Sequence, residues 1–309
     1  MKELARNSAP VMAAALLLLA GACPGAAFGE GTYRRSDSED VSVFFPPQLQ
    51  GAADEVAERF PVLREALAAR LGWTLRGRTA VWLVGQEERF RRMIGSRYFA
   101  AFVLPEKGVV VIDATKMRRR GMMLETTLNH EMCHLLLHQY IPRAHLPRWL
   151  DEGIAQWYSD GMSELLIPGR GAALRRAAVS GSIPDIEQLD RLFSGGQEAV
   201  ALAYDASRSI VDYVVTQYGV DVLLRLLDGL KEGSPEVVFA AVAGRSLADI
   251  EDGWQRSLAR ADAWWLAASA YLYEILFFLA ALMTCIAFIR QAIRRRRYVD
   301  AEDDGPEDA

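Results

Sequence analysis

Three residues in a short histidine-rich stretch have the types and the spacing of a metal-dependent site. The segment LNHEMCHLLLH (128–138) places His130 and His134 four positions apart, on either side of Glu131. On a helix this spacing puts both imidazoles on one face, where their nitrogens can bind a single metal ion. The carboxylate between them then reaches the water on the metal rather than the metal itself. A helix with two ordinary hydrogen-bonded histidines is the alternative that this stretch leaves open.

The third ligand does not follow from the same stretch. His138 lies one more turn along the helix, too far to share an ion with the other two, so we expect an outer or surface position and no loss of zinc when it is removed. His145, in the loop IPRAHLPRW, has no spacing that favours it. No glycine follows His134 until Gly153, which excludes the class of site whose third ligand is a histidine after a helix-breaking glycine.

A second motif suggests the missing ligand. HEMCH is followed by PRWLDEGIAQWYS (147–159), and the pair resembles the gluzincin metallopeptidases, particularly the aminopeptidase-N group with its tryptophan–leucine–x–glutamate–glycine–x–alanine stretch. The resemblance implies one zinc ion bound by His130, His134 and Glu152, with Glu131 as general base and a peptide or protein as substrate. Glu152 follows His134 by 18 positions, one fewer than in the aminopeptidases and two fewer than in thermolysin.

The resemblance extends to two further elements and fails at two positions. The segment LAYDASRSIVDYVVTQYG is similar to the aminopeptidase helix whose tyrosine stabilises the oxyanion, which implies that role for Tyr204. GVVVIDA (108–114) corresponds to the edge strand that binds the substrate backbone. The segment that holds a free amino terminus has no counterpart, which favours an endopeptidase. Gln156 replaces a carboxylate that orients a ligand histidine in thermolysin-like enzymes, and its side-chain carbonyl could accept the imidazole proton.

The elements that must position these residues form an early sheet followed by helices. The segments VSVFFPP (41–47) and RTAVWLVG (78–85) read as strands, and YFAAFVL and GVVVIDA flank PEKG as a hairpin. Residues 51–71 and 86–95 have helical spacing, the metal helix ends before Pro142, and residues 148–261 are helical throughout. The order predicts an α+β, zincin-like domain over residues 30–262, with a small N-terminal mixed sheet and a helical C-terminal part.

Both ends of the chain indicate a membrane setting. Residues 1–29 have basic, apolar and small-residue zones in the order of a signal peptide, with lipid attachment at Cys23 as an alternative. Residues 264–289 are long and apolar enough for one transmembrane helix, and basic and then acidic residues follow in a tail over 290–309. Because arginines mark the cytoplasmic side, we expect a single-pass protein of the cell membrane, with its catalytic domain outside the cytoplasm and its C-terminus inside.

Composition narrows the functional classes further. The net charge of −5 gives no reason to expect a nucleic acid as partner. The three cysteines suggest no disulfide framework, and Cys133 is expected to be a buried small residue, with a nucleophile or soft ligand as the alternative. The sequence thus predicts a membrane-anchored zinc metallopeptidase. The alternatives are an anchored binding or assembly module stabilised by zinc, and a zinc amidase acting on cell-wall peptide.

Overall fold

The computed structural model describes residues 33–95, 99–120, 124–160 and 171–303, without the side chains of 118–120, 260–273, 275 and 292–303. The predicted signal peptide, residues 1–29, lies outside the described residues. Two compact units divide the chain after Gln255. The first contains the sheet and the helices of the predicted site, and the second, which starts at Arg256, contains the remainder of the last helix.

A five-stranded mixed sheet forms the N-terminal part of the first unit, as predicted. In the described residues its strands are β1 (Arg34–Asp37), β2 (Val41–Phe45), β3 (Thr79–Val84), β4 (Ala101–Leu104) and β5 (Val109–Asp113). Their order in the sheet is β1-β2-β3-β5-β4. The central strands β2, β3 and β5 are parallel, whereas β1 and β4 are antiparallel edge strands. Both faces of β3 and β5 are buried, which explains their continuous apolar sequences.

The sheet order corrects one prediction. GVVVIDA forms β5, which pairs with β3 on one side and with β4 on the other, so it is not an edge strand. On this side of the sheet the edge strand is β4, the first arm of the hairpin. The turn between the two strands is a short 3-10 helix, Pro105–Lys107, ended by Gly108 at φ 61°, a backbone conformation that glycine adopts without strain.

The remainder of the described chain is helical, which confirms the predicted α+β class. Helices α1 and α2 alternate with the strands, α3 follows β5, and α4 and α5 carry the two motifs. The described helices are α1 (Gln50–Leu71), α2 (Glu87–Ile94), α3 (Ala114–Arg120), α4 (Leu124–Tyr140), α5 (Arg148–Ser159), α6 (Ala172–Ser180), α7 (Ile186–Leu192), α8 (Gln197–Tyr218), α9 (Val220–Gly229), α10 (Pro235–Ala243) and α11 (Leu247–Asp303).

Helix α11 contains the segment predicted to cross a membrane. Within the part of the chain that the structure describes, no helix has both the length and the apolar character needed to span a bilayer. The side chains of 264–273 and 275, which make up much of the predicted span, lie outside that part. The described side chains from Leu276 to Ile289 are exposed, and most of them are apolar.

Candidate metal centre

Helix α4 is buried on nearly every side, and this burial places its polar residues in the interior. Its leucines and other apolar side chains are buried, and the helix packs against α1, α5 and strand β4. A helix that is apolar all round is a core helix. The side chains of His130, Glu131 and His134 are therefore almost completely buried, with exposed fractions of 1%, 0% and 5%. Buried polar groups of this kind need partners or a ligand, because isolation from water is unfavourable.

Helix α5 supplies the residues that face α4, and hydrogen bonds to Asp190 fix its N-terminus. It begins directly after Pro147, and the carboxylate of Asp190 accepts hydrogen bonds from the amides of Arg148 (3.3 Å) and Trp149 (2.9 Å). An acidic group at this end satisfies free amides and complements the helix dipole. The cap holds the first turn of α5 in place, one turn before Glu152.

Three buried atoms that can bind a metal lie close together where α4 and α5 face each other. The Nε2 atoms of His130 and His134 are 3.1 Å apart. Oε2 of Glu152 lies 3.7 Å from the Nε2 of His130 and 3.5 Å from that of His134. Donors at about 2.0–2.2 Å from one tetrahedral ion would be about 3.3–3.6 Å apart. The three residues thus form a group that could hold a metal ion.

The carboxylate of Glu152 provides a second indication that the group fits a cation. Its Oε2 is buried and has no hydrogen-bond partner among the described residues, although it faces two imidazoles. A buried carboxylate oxygen in this situation is suited to a metal ligand. Two histidines and one glutamate, with no cysteine, are the donor set of catalytic zinc sites, which keep a fourth position for water.

The directions of the pKa shifts show that the carboxylate and the imidazoles stabilise each other's charged forms. Burial would raise the pKa of Glu152, but the nearby imidazoles of His130 and His134 and the charge of Arg148 hold it well below its usual range. Burial would lower the pKa of His134, but the carboxylates of Asp151 and Glu152 hold it well above its usual value. The group therefore contains an ionised carboxylate whose charge a cation can neutralise.

The outer nitrogens of the two histidines have different partners. Nδ1 of His134 lies 2.8 Å from Oδ1 of Asp151, a residue to which the sequence analysis gave no role. Nδ1 of His130 lies 3.4 Å from the hydroxyl of Ser159. Gln156 does not make the contact suggested for it: its amide donates to the backbone carbonyl of Tyr204 (3.1 Å), and its side-chain carbonyl has no hydrogen-bond partner among the described residues.

The other two histidines lie outside the group of three donors. Nε2 of His138 is 2.9 Å from Oδ2 of Asp151, and Nδ1 of His145 is 3.0 Å from the carbonyl of Leu230. Burial would raise the pKa of Asp151, but the charge of His134 and hydrogen bonds with His134 and His138 lower it to about 2. Asp151 is therefore an ionised carboxylate between two imidazoles.

Tyr204 lies next to the predicted ligand Glu152. Its hydroxyl donates a hydrogen bond to Oε1 of Glu152 (3.1 Å), and its side chain is 1% exposed. Nε of Arg148 lies 3.7 Å from the same oxygen. The structure thus brings Tyr204 into the site, whereas its role at an oxyanion stays a prediction.

Cys133 is a buried residue and not a reactive one. Its side chain is fully buried on α4, and burial raises the pKa of its thiol to about 12. The thiol stays protonated near neutral pH, whereas a nucleophile or a metal ligand must be a thiolate.

A mixed sheet followed by two helices that bring together two histidines and a glutamate is the arrangement expected of a gluzincin-type zinc metallopeptidase domain. Comparison with protein families agrees, because residues 109–260 match the family described as the Peptidase MA superfamily. The matched segment includes all three candidate ligands and Tyr204. This part of the chain is therefore similar to the Peptidase MA superfamily. A search of curated proteins found no match to the chain.

Proposed function

We propose that the protein is a membrane-anchored zinc endopeptidase whose catalytic domain lies outside the cytoplasm. The observation that carries the zinc site is the buried Oε2 of Glu152, which lies within 3.7 Å of both histidine nitrogens. His130, His134 and Glu152 would hold the ion. Zinc, when bound, acts as a Lewis acid that lowers the pKa of its water to about 7 and polarises a substrate carbonyl.

The remaining steps belong to the protein's own side chains. Glu131 accepts a proton from the water as it attacks the scissile carbonyl, and then transfers that proton to the leaving amine. Its buried position on α4, one position after His130, supports this role. Tyr204 donates a hydrogen bond to the developing oxyanion. To do so, its hydroxyl turns away from Oε1 of Glu152.

The substrate backbone is proposed to lie along β4. This strand pairs only with β5 in the described sheet, and it packs against the metal helix α4. An extended peptide can add to such an edge through main-chain hydrogen bonds. An endopeptidase is favoured over an aminopeptidase because no segment resembling the aminopeptidase clamp for a free amino terminus is found in the sequence.

The membrane anchor is proposed for residues 264–289, with a cytoplasmic tail over 290–309. The support is an apolar surface on α11, where Phe277, Phe278, Met283 and Phe288 are each more than two-thirds exposed. Exposed apolar surface of this extent is unfavourable in water and favourable in lipid. The arginines that follow support a cytoplasmic C-terminus.

The test uses the full-length chain, purified in detergent, and its Glu131→Gln variant. We expect both proteins to contain one zinc ion, and only the first to cleave a mixture of peptides with free and blocked amino termini. Cleavage of the blocked peptides identifies an endopeptidase. Equal amounts of cleavage by both proteins would rule out Glu131 as the base. Tight zinc binding without any cleavage of peptides or cell-wall fragments would favour the structural-zinc alternative.

A further inference from the structure

The carboxylate of Asp151 connects two histidines of the same helix. His134 and His138 are one turn apart on α4, and Asp151 on α5 faces both of them. Its Oδ1 lies 2.8 Å from Nδ1 of His134, and its Oδ2 lies 2.9 Å from Nε2 of His138. Both distances are those of hydrogen bonds to a charged acceptor.

The carboxylate of Asp151 determines which atoms donate in these two hydrogen bonds. An ionised carboxylate only accepts, so both imidazoles donate. In the neutral imidazole, which is the form that binds a metal, the hydrogen on Nδ1 of His134 leaves the lone pair of Nε2 directed at Nε2 of His130 and Oε2 of Glu152. Asp151 therefore selects the tautomer of His134 that can bind a metal.

His138 determines whether Asp151 can hold that position. The side chains of both residues are 13% exposed, so little water can replace a lost donor. With one oxygen bound, the carboxylate can rotate about its Cβ–Cγ bond. With both oxygens bound to imidazoles of a single helix, its plane is fixed, and the ring of His134 is fixed with it.

We propose that His138 is a positioning residue of the metal centre, which acts through Asp151 to hold the imidazole of His134 in its metal-binding orientation. This inference rests on the proposed zinc site and replaces the expectation that His138 can be removed without effect. Asp151 and Glu152, which are neighbours in the sequence, divide their contacts with these histidines. Asp151 contacts Nδ1 of His134 and Nε2 of His138, whereas Glu152 faces Nε2 of His134.

The test compares His138→Gln and His138→Leu in the full-length protein. Glutamine keeps an N–H donor of similar reach, whereas leucine keeps bulk without a donor. Zinc affinity is measured by competition with a chelator, and the visible spectrum of the cobalt(II)-substituted protein reports the geometry of the site. We expect His138→Leu to weaken zinc binding by about 10–100-fold and to change the spectrum, because lost outer partners have effects of that size.

The controls separate positioning from stability. His138→Gln should restore most of the zinc affinity, and His145→Gln, which alters a histidine bonded to Leu230, should leave it unchanged. In an Asp151→Asn background, His138→Leu should have no further effect, because both act through one carboxylate. If His138→Leu does not fold, His138→Phe takes its place.

Two outcomes would overturn the inference. One is wild-type zinc affinity and an unchanged cobalt spectrum in the leucine variant, and the other is an equal loss in the glutamine and leucine variants. A wild-type protein that binds no zinc would instead contradict the proposed function, so the two failures are distinguishable.

Discussion

The two carboxylate oxygens of Glu152 have different partners. Oε1 accepts a hydrogen bond from Tyr204 and lies near Arg148, whereas Oε2 faces the imidazoles of His130 and His134. Oε2 is therefore the atom through which Glu152 would hold a metal ion, and the negative charge of the carboxylate would help to neutralise that ion.

Replacing Glu152 by alanine should remove zinc. We expect zinc affinity to fall by more than the ~10–100-fold that a lost outer partner causes, because a direct ligand and its charge disappear. The measurements are metal analysis and thermal unfolding with and without chelator. Glu125→Ala is the control, since Glu125 on α4 forms an exposed ion pair with Arg59 (3.7 Å) away from the three candidate ligands. Full zinc content in the Glu152 variant would contradict the assigned ligand set.

Replacing Tyr204 by phenylalanine should lower kcat by about 10²–10³, the effect of losing one donor to an oxyanion. Zinc content should change little, because Glu152 keeps its contact with Arg148. Kinetics at saturating zinc measure kcat, and metal analysis measures the zinc content. Tyr140→Phe is the control, since the Tyr140 hydroxyl donates to the carbonyl of Thr74.

The result with Tyr204→Phe also discriminates between two roles of the hydroxyl. A loss of zinc affinity with normal kcat at saturating zinc would mean that Tyr204 only holds Glu152. Unchanged values of both quantities in a folded variant would mean that neither role is correct.

The candidate metal ligands were easier to predict from the sequence than the residues that contact the ligand histidines. The spacing of His130, Glu131 and His134 follows from one helical turn, and the second motif pointed to Glu152. The contacts of Asp151 and Ser159 with the ligand histidines were not predicted. They depend on how α5 packs against α4, and the residue spacing within a single helix carries no information on that packing. The aspartate directly before Glu152 was the available signal, since it lies on the same helix and can reach an outer ring nitrogen.

At the scale of elements, helix α5 lies unusually close to helix α8. A Cβ atom built on Gly153 would lie 2.5 Å from the backbone oxygen of Ser207 and 2.9 Å from a methyl group of Val211. No real side chain fits at such distances, so only glycine allows these helices to approach. The close approach brings Tyr204 of α8 within hydrogen-bond reach of Glu152.

Replacing Gly153 by alanine should therefore destabilise the protein. Alanine favours a helix over glycine by about 1 kcal/mol, but overpacking against a backbone typically costs about 1–3 kcal/mol, and we expect the clash to prevail. Thermal unfolding in chelator gives the stability, and zinc affinity reports the displacement of Glu152. In the control Gly51→Ala, the new Cβ meets nothing within 4 Å, so stability should be unchanged or higher. Equal behaviour of the two variants would contradict the packing argument.

The sequence pattern predicted most strands of the sheet but not their order. The apolar runs predicted β2, β3 and the hairpin of β4 and β5, because buried strands are continuous in apolar residues. Sheet order depends on long-range pairing, and β3 pairs with β5 rather than with the nearer β4. The wrong strand was therefore taken as the edge. Strand β1, with four mostly exposed polar residues, carried no apolar signal at all.

For the whole molecule, the sequence at the two ends predicts the topology. Fusions of a reporter that is active only in the cytoplasm should work after residue 300 and fail at residue 150. The reason is the cluster of arginines that follows residues 264–289, since such clusters stay on the cytoplasmic side. Reporter activity is measured in intact cells, with immunoblots to equalise expression. Activity of the fusion at residue 150 would show that the proposed orientation is wrong.

The two helices of the metal centre are also neighbours along the chain. Residues 141–147 alone connect α4 to α5, whereas Tyr204 follows Glu152 by 52 positions. Closing a short loop loses less entropy than closing a long one, and local contacts form sooner. During folding, the α4–α5 hairpin can thus assemble its three metal donors before α8 arrives. We therefore expect that the hairpin can bind its ion before Tyr204 docks against Glu152.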